Sequence, residues 1–291
     1  MSRTRTVDRI VEGSRLGDYA IEHELAVEEI GVVYLGKHVV LPRLAELKIM
    51  HAGEAWLRAK AVQMLREACL LEALTHPGVP RVFECGMLED KRPWAAFEHV
   101  EGITLGAELA NGALQVGEVL ELVRDVADIL DHIHRRGIVH RRLSADAVVR
   151  ARRRRYPVCV RNWSDACPLD AEGHITLDPR DDVHELGVIA YRGLTGQMPD
   201  LAGSARERIT NAPPDVARLV DLMLSIDPSD RPSSAEVRER ARNLAEVVGR
   251  GTSTDPGLRA SYSDGIASSR TQTEDPAAFS IRINSGRPRS Q

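Results

Sequence analysis

Between positions 19 and 50 the chain passes through three short stretches, 19–25, 31–39 and 43–50, rich in β-branched and aromatic residues and separated by polar or turn residues. Such spacing predicts consecutive antiparallel strands. A helix over about 54–74 is predicted next, because Leu57, Ala61, Met64, Ala68 and Leu71 recur at helical intervals. Two more short strands are expected near 79–84 and 94–99. Beyond Gly102 the pattern turns helical: over 117–136 the residues Val119, Leu120, Val123, Ala127, Leu130 and His134 share one face, and Gly137 follows as a C-cap. Further helices are predicted over about 183–194, ending at Gly196, and 215–224. A last one starts at Ser233 or Ser234, where Ser233 and Glu236 fit a capping box. Strands first and helices afterwards predict an α+β fold with a small antiparallel-sheet lobe, carrying one main helix, and a larger helical lobe.

Composition agrees with a globular chain. With 291 residues, 43% apolar and 28% charged, there is enough sequence to bury one large core or two small ones. A net charge of −4 argues against a surface that is basic throughout, so nucleic-acid binding is not expected. Arg150 and the run 152–155 form a local basic patch at an expected hairpin, read first as a solvated turn. Only four of the 39 basic residues are lysines, Lys37, Lys48, Lys60 and Lys91, which singles each of them out for attention. The four cysteines show no metal-ligand or disulfide spacing, and neither a signal peptide nor an apolar run near 18 residues is present. A cytoplasmic protein with reduced thiols and no membrane insertion is therefore expected. Residues 1–15 read as a flexible tail. Residues 249–291, rich in Gly, Ser, Thr, Asp, Pro and Arg, read as a disordered one, since they cannot bury enough apolar surface to offset their ordering entropy.

Five segments in one order then carry a resemblance. They are the stretch 19–50, Leu65-Arg66-Glu67-Ala68 with His76-Pro77, Gly137-Ile138-Val139-His140-Arg141, Asp182-Val183-His184-Glu185-Leu186-Gly187, and 227–233 around Arg231. Together they resemble the bacterial eukaryotic-type Ser/Thr protein kinase family over about 16–248, with an N-lobe over about 16–98 and a C-lobe over about 102–248. The resemblance implies a bilobal kinase-like fold. It assigns Lys48 as the phosphate lysine, Glu67 as its ion-pair partner on the following helix, and Gly31 as the last glycine of the phosphate-covering loop.

Other positions depart from the family pattern. Glu28 and Glu29 occupy the glycine turn, where carboxylates would repel a polyanion unless they point into solvent. Glu46 stands two residues before Lys48, where the family roofs the adenine with a small apolar side chain. Without a partner its burial there is costly, unless it pairs with Lys48 or turns outward. In the catalytic loop the family's base, lysine and metal-binding asparagine correspond to Arg142, Ser144 and Ala147. Arginine has no acceptor for a proton. The metal-binding aspartate corresponds to Asn162, a weak ligand, followed by Trp163, expected to pack inward beside His140 and Leu71. Asp165 lies three residues too far along to replace it. Only 19 residues separate Asn162 from Asp182, without an Ala-Pro-Glu motif, which leaves Arg231 without its family partner; Glu172 is a guess. Asp182 is expected to hold the catalytic-loop backbone.

These departures predict a pseudokinase, an interaction or allosteric signalling module without phosphotransfer and without catalytic, metal or cofactor sites, whose partner is another protein such as a kinase. The alternative is a weakly active Ser/Thr kinase transferring phosphate from ATP to protein hydroxyls. In that reading Lys48, Glu67 and Gly31 bind the nucleotide.

Overall fold

The computed structural model describes residues 10–53, 57–151, 154–169, 177–200 and 204–252. The described residues up to 251 belong to one compact unit. The expected N-terminal tail up to residue 9, Glu172 and nearly all of the expected C-terminal tail lie outside the described residues.

A six-stranded antiparallel sheet builds the N-lobe. Its strands are β1 (Arg15–Leu16), β2 (Tyr19–Val27), β3 (Gly31–His38), β4 (Leu44–Met50), β5 (Val82–Met87) and β6 (Pro93–Glu98), in the order β1-β2-β3-β4-β6-β5. Helix α1 (Leu57–Ala73) packs on it. The C-lobe holds α2 (Leu105–Leu109), α3 (Val116–His134), α4 (Pro179–Thr195), α5 (Ala205–Arg208), α6 (Pro214–Met223) and α7 (Ser234–Thr252). Small ribbons complete it: β7 (Gly102–Thr104), β9 (Val148–Ala151) and β10 (Val158–Val160) form one sheet, and β8 (Ile138–Val139) pairs with β11 (Cys167–Pro168). This is the bilobal α+β arrangement that the order of patterns predicts, and it is kinase-like as the resemblance implies.

The period of two along the strands decides which side chains reach the space between the lobes. On β4, Ala45, Leu47 and Ile49 join Tyr19, Ile21, Val32, Tyr34, Trp94 and Ala96 in the outer N-lobe core. Glu46 and Lys48 therefore point to the opposite face. On β6, Ala95 and Phe97 leave that core for a larger one, shared with Ala68 and Leu71 of α1 and with the buried faces of α3, α4 and α6. Apolar packing thus runs continuously from one lobe into the other.

Local signals end the helices where the sequence predicts. Gly196 adopts φ +73° and closes α4, whose start is capped by Asp178 accepting from the Arg180 N–H at 2.8 Å. Gly137 turns the chain after α3 with φ +69°. Ser233 and Glu236 exchange the two bonds of a capping box ahead of α7. Helix α7 runs to Thr252, four residues into the segment expected to lack a period; Val248 packs on the core and carries the helix that far.

One histidine is buried inside this frame and others are half-buried. His140 is completely enclosed, and burial holds its pKa below the usual imidazole range; the same cause lowers those of His76 and His132. A folded-state pKa below the unfolded one means that the unfolded chain takes up more protons as pH falls. Stability is then complete above about pH 6.5 and is lost below it. Melting followed by circular dichroism should show Tm falling between pH 7.5 and 5.5, at a pH where carboxylates remain ionised. A flat Tm over that interval would contradict neutral imidazoles at these sites.

Candidate active site

The cleft between the lobes contains a cavity of about 320 Å³. Lys48 enters it from β4, Glu67 from α1, Glu28 from the β2–β3 turn, and Arg142, Arg161, Asn162 and Asp165 from the C-lobe.

Lys48 is buried and held by two carboxylates. Its Nζ lies 3.1 Å from Glu67 Oε2 and 2.8 Å from Glu28 Oε2. Burial pulls the lysine pKa down and the Glu67 pKa up, against both charges. For Lys48 the two carboxylates, Glu67 foremost, more than offset this and leave it above the ordinary lysine value. The distances are those of a charged pair. Glu28 therefore does not point into solvent: it sits on the cleft's lysine. Glu29 turns the other way, to Lys60 of α1 at 2.9 Å.

Gly31 serves backbone packing. A Cβ there would lie 2.1 Å from the Ile49 carbonyl oxygen, so β3 approaches β4 too closely for any side chain. Glu46, expected to be costly, has partners: His99 Nδ1 at 3.1 Å and the Arg161 guanidinium at 3.7 Å. It neither pairs with Lys48 nor turns away. The sequence could not show this, since 53 residues separate it from His99.

Below the cleft, Asp182 of α4 organises the loop that follows β8. Its carboxylate accepts the backbone N–H groups of His140 and Arg141, both at 2.8 Å, and lies 2.9 Å from His134 Nε2. These donors hold its pKa below the usual carboxylate range although burial opposes it. His140 Nε2 donates to the Arg161 carbonyl at 3.0 Å, and its ring stacks edge-on against Trp163. Trp163, 1% exposed, packs inward as expected, and its indole N–H donates to the Val160 carbonyl at 2.8 Å. Gln63 of α1 reaches the Ser164 carbonyl at 3.3 Å and ties the helix to this turn.

The remaining loop positions have defined surroundings. Arg142 pairs with Asp165 at 3.0 Å, at the mouth of the cleft. Ser144 accepts the Ala147 N–H at 3.3 Å, closing a turn, and Ala147 is fully buried. Asn162 adopts a left-handed backbone, φ +64° and ψ +57°. Arg231 is not orphaned: Asp181 pairs with it at 2.8 Å, while the carbonyls of Arg180, Ser225 and Ile226 take further bonds. In the basic patch, Arg150 pairs with Glu108, and Arg154 with Glu98 and the Pro77 carbonyl. Those two arginines are committed to internal contacts.

A divalent cation is the group this fold implies beside a nucleotide. The described residues do not suit one. Ala147 has no donor, Asn162 offers a neutral amide, and no set of three His, Cys, Asp or Glu side chains among the described residues could hold a metal. A nucleotide suits them better, since an ammonium pinned by a buried carboxylate faces an open cavity.

A cleft of this architecture, with a strand lysine bonded to a helix glutamate and a loop hung from a buried aspartate, is that of a kinase-like fold. Residues 20–160 match the protein tyrosine and serine/threonine kinase family. Serine/threonine-protein kinase pkn2 of Myxococcus xanthus is 29% identical over 283 residues, covering 83% of this chain and 34% of that protein. Serine/threonine-protein kinase PknJ of Mycobacterium tuberculosis is 27% identical over 214 residues, 66% of this chain and 36% of that protein. The chain spans about a third to a half of the length of the curated relatives it matches. A crystal structure of the M. tuberculosis PknI kinase domain superposes with a TM-score of 0.61 at 27% identity, covering 83% of this chain and all of that one.

These findings correct three sequence-based expectations: that the chain is a pseudokinase module, that it is not an enzyme, and that it takes no cofactor. The Lys48–Glu67 pair is formed, the cavity it faces is open, and the relatives are named as serine/threonine kinases. The residues at 142, 144, 147 and 162 leave the lysine–glutamate pair intact. No described helix is long and apolar enough to cross a membrane.

Glu28 occupies the ammonium that a phosphate would take. Glu28→Gln should tighten ATP binding by about three- to tenfold, a modest gain because Glu28 is partly solvated. Calorimetric titration of the two proteins checks this, and equal affinities would mean that the Glu28 contact does not compete with nucleotide.

Proposed function

We propose that residues 16–248 form a nucleotide-binding Ser/Thr protein kinase domain that transfers phosphate from ATP to protein hydroxyls at a low rate. The observation that carries this reading is the buried Lys48–Glu67 pair facing the open cleft. Lys48 would hold the nucleotide's phosphates, Glu67 would fix the lysine, and Gly31 would let the covering turn lie close over β4.

The low rate follows from the loop. Arg142 stays protonated and cannot accept the proton of a substrate hydroxyl, and Ser144 and Ala147 add no charge. The acid bonded to Arg142 is Asp165, 38% exposed at its side chain, and it would receive the proton. Substrates are then proteins, consistent with a signalling role, and a cytoplasmic setting agrees with the reduced thiols expected from sequence.

Incubating the full chain with γ-labelled ATP and a general protein substrate tests this. Slow labelling of Ser or Thr is expected. Lys48→Met should reduce it by about 10²-fold or more, and Asp165→Asn should lower the rate while leaving ATP affinity in place. Absence of label above the Lys48→Met control would overturn the reading.

A further inference from the structure

The charges lining the cleft are distributed unusually. Its carboxylates each have a basic partner: Glu28 and Glu67 meet Lys48, Glu29 meets Lys60, Glu46 meets Arg161 and the His99 ring, Glu98 meets Arg154, and Asp165 meets Arg142. None is left free in this arrangement to draw in a divalent ion. Two arginines, by contrast, have donors to spare. A guanidinium carries five N–H groups. Arg142 is 65% exposed at its side chain, with one bond to an exposed partner. Arg161 is 33% exposed, with its ion partner Glu46 at 3.7 Å, beyond hydrogen-bonding distance.

The backbones carrying these side chains are fixed. The Arg161 N–H donates to the Ala147 carbonyl at 2.8 Å, and its carbonyl receives His140 Nε2. The Arg142 N–H donates to His140 Nδ1 at 3.3 Å. One buried, neutral imidazole thus braces both arginine segments, and with Lys48 three cations from three parts of the chain line one cavity. Planar guanidinium forks match phosphate oxygens in pairs, and their charge needs no deprotonated ligand set.

We propose that the cleft binds the polyphosphate of a nucleoside triphosphate in its metal-free form, with Arg142 and Arg161 joining Lys48 in place of a divalent cation. This deepens the nucleotide reading above and rests on it. Phosphate entering the cleft exchanges the loose 3.7 Å Arg161–Glu46 contact for guanidinium–phosphate bonds, while Arg142 keeps Asp165 and turns its spare N–H groups to the phosphate.

Calorimetric titration of the full chain with ATP, in excess EDTA and separately in magnesium, is the test. Affinity in EDTA should equal that in magnesium within about threefold, and Arg142→Gln and Arg161→Gln should each weaken the EDTA affinity by about tenfold. Melting temperatures confirm that the variants fold. Arg142 is exposed, so its variant keeps the test usable if replacement of Arg161 disturbs the lobes. Binding seen only with magnesium, or variants that bind in EDTA like the parent, overturns the inference and leaves the nucleotide reading standing. Absence of binding in both buffers overturns the nucleotide reading itself.

Discussion

The carboxylate of Asp182 is the point from which the lower half of the cleft is hung. A buried anion must be solvated by the protein, and here two backbone N–H groups and an imidazole do so. By satisfying one charge, the fold fixes the path of the chain at 140–141, and with it the direction of Arg142. His134, the helix side of this arrangement, also lies 3.0 Å from the Ser234 hydroxyl, so the start of α7 is tied to the same cluster. Loss of the carboxylate would leave several donors buried without acceptors.

Much of this architecture is legible in the amino-acid order because it rests on local rules. Alternation along 43–50 places Ala45, Leu47 and Ile49 in the core and Lys48 in the cleft. Helical spacing aligns Met64, Ala68 and Leu71, and the glycines at 137 and 196 end their helices. The pairing of Lys48 with Glu67 and the inward packing of Trp163 are readable through family resemblance.

What escapes the sequence depends on side chains far apart in the chain. Glu46 has no partner within its own strand; His99 and Arg161 reach it only once the lobes are assembled. Asp181 is overlooked as the partner of Arg231 because it neighbours the more conspicuous Asp182. Glu28 is ambiguous for another reason: a turn residue can face either way, and only the reach of a buried lysine decides it. The short ribbons β7, β8 and β11 lack enough residues for any period to show. Functional reading suffers most from this locality, since lost catalytic-loop groups are visible residue by residue while the open cavity that the lysine–glutamate pair faces is not.

The left-handed backbone at Asn162 has a consequence of its own. Among side chains, asparagine and aspartate tolerate that conformation best after glycine, and they are nearly the same size. An amide and a carboxylate are therefore interchangeable there in shape, and the local fold is indifferent to which is present. The electrostatic character of this corner can be rewritten by a single substitution, or by hydrolysis of one amide, while the scaffold stays as it is.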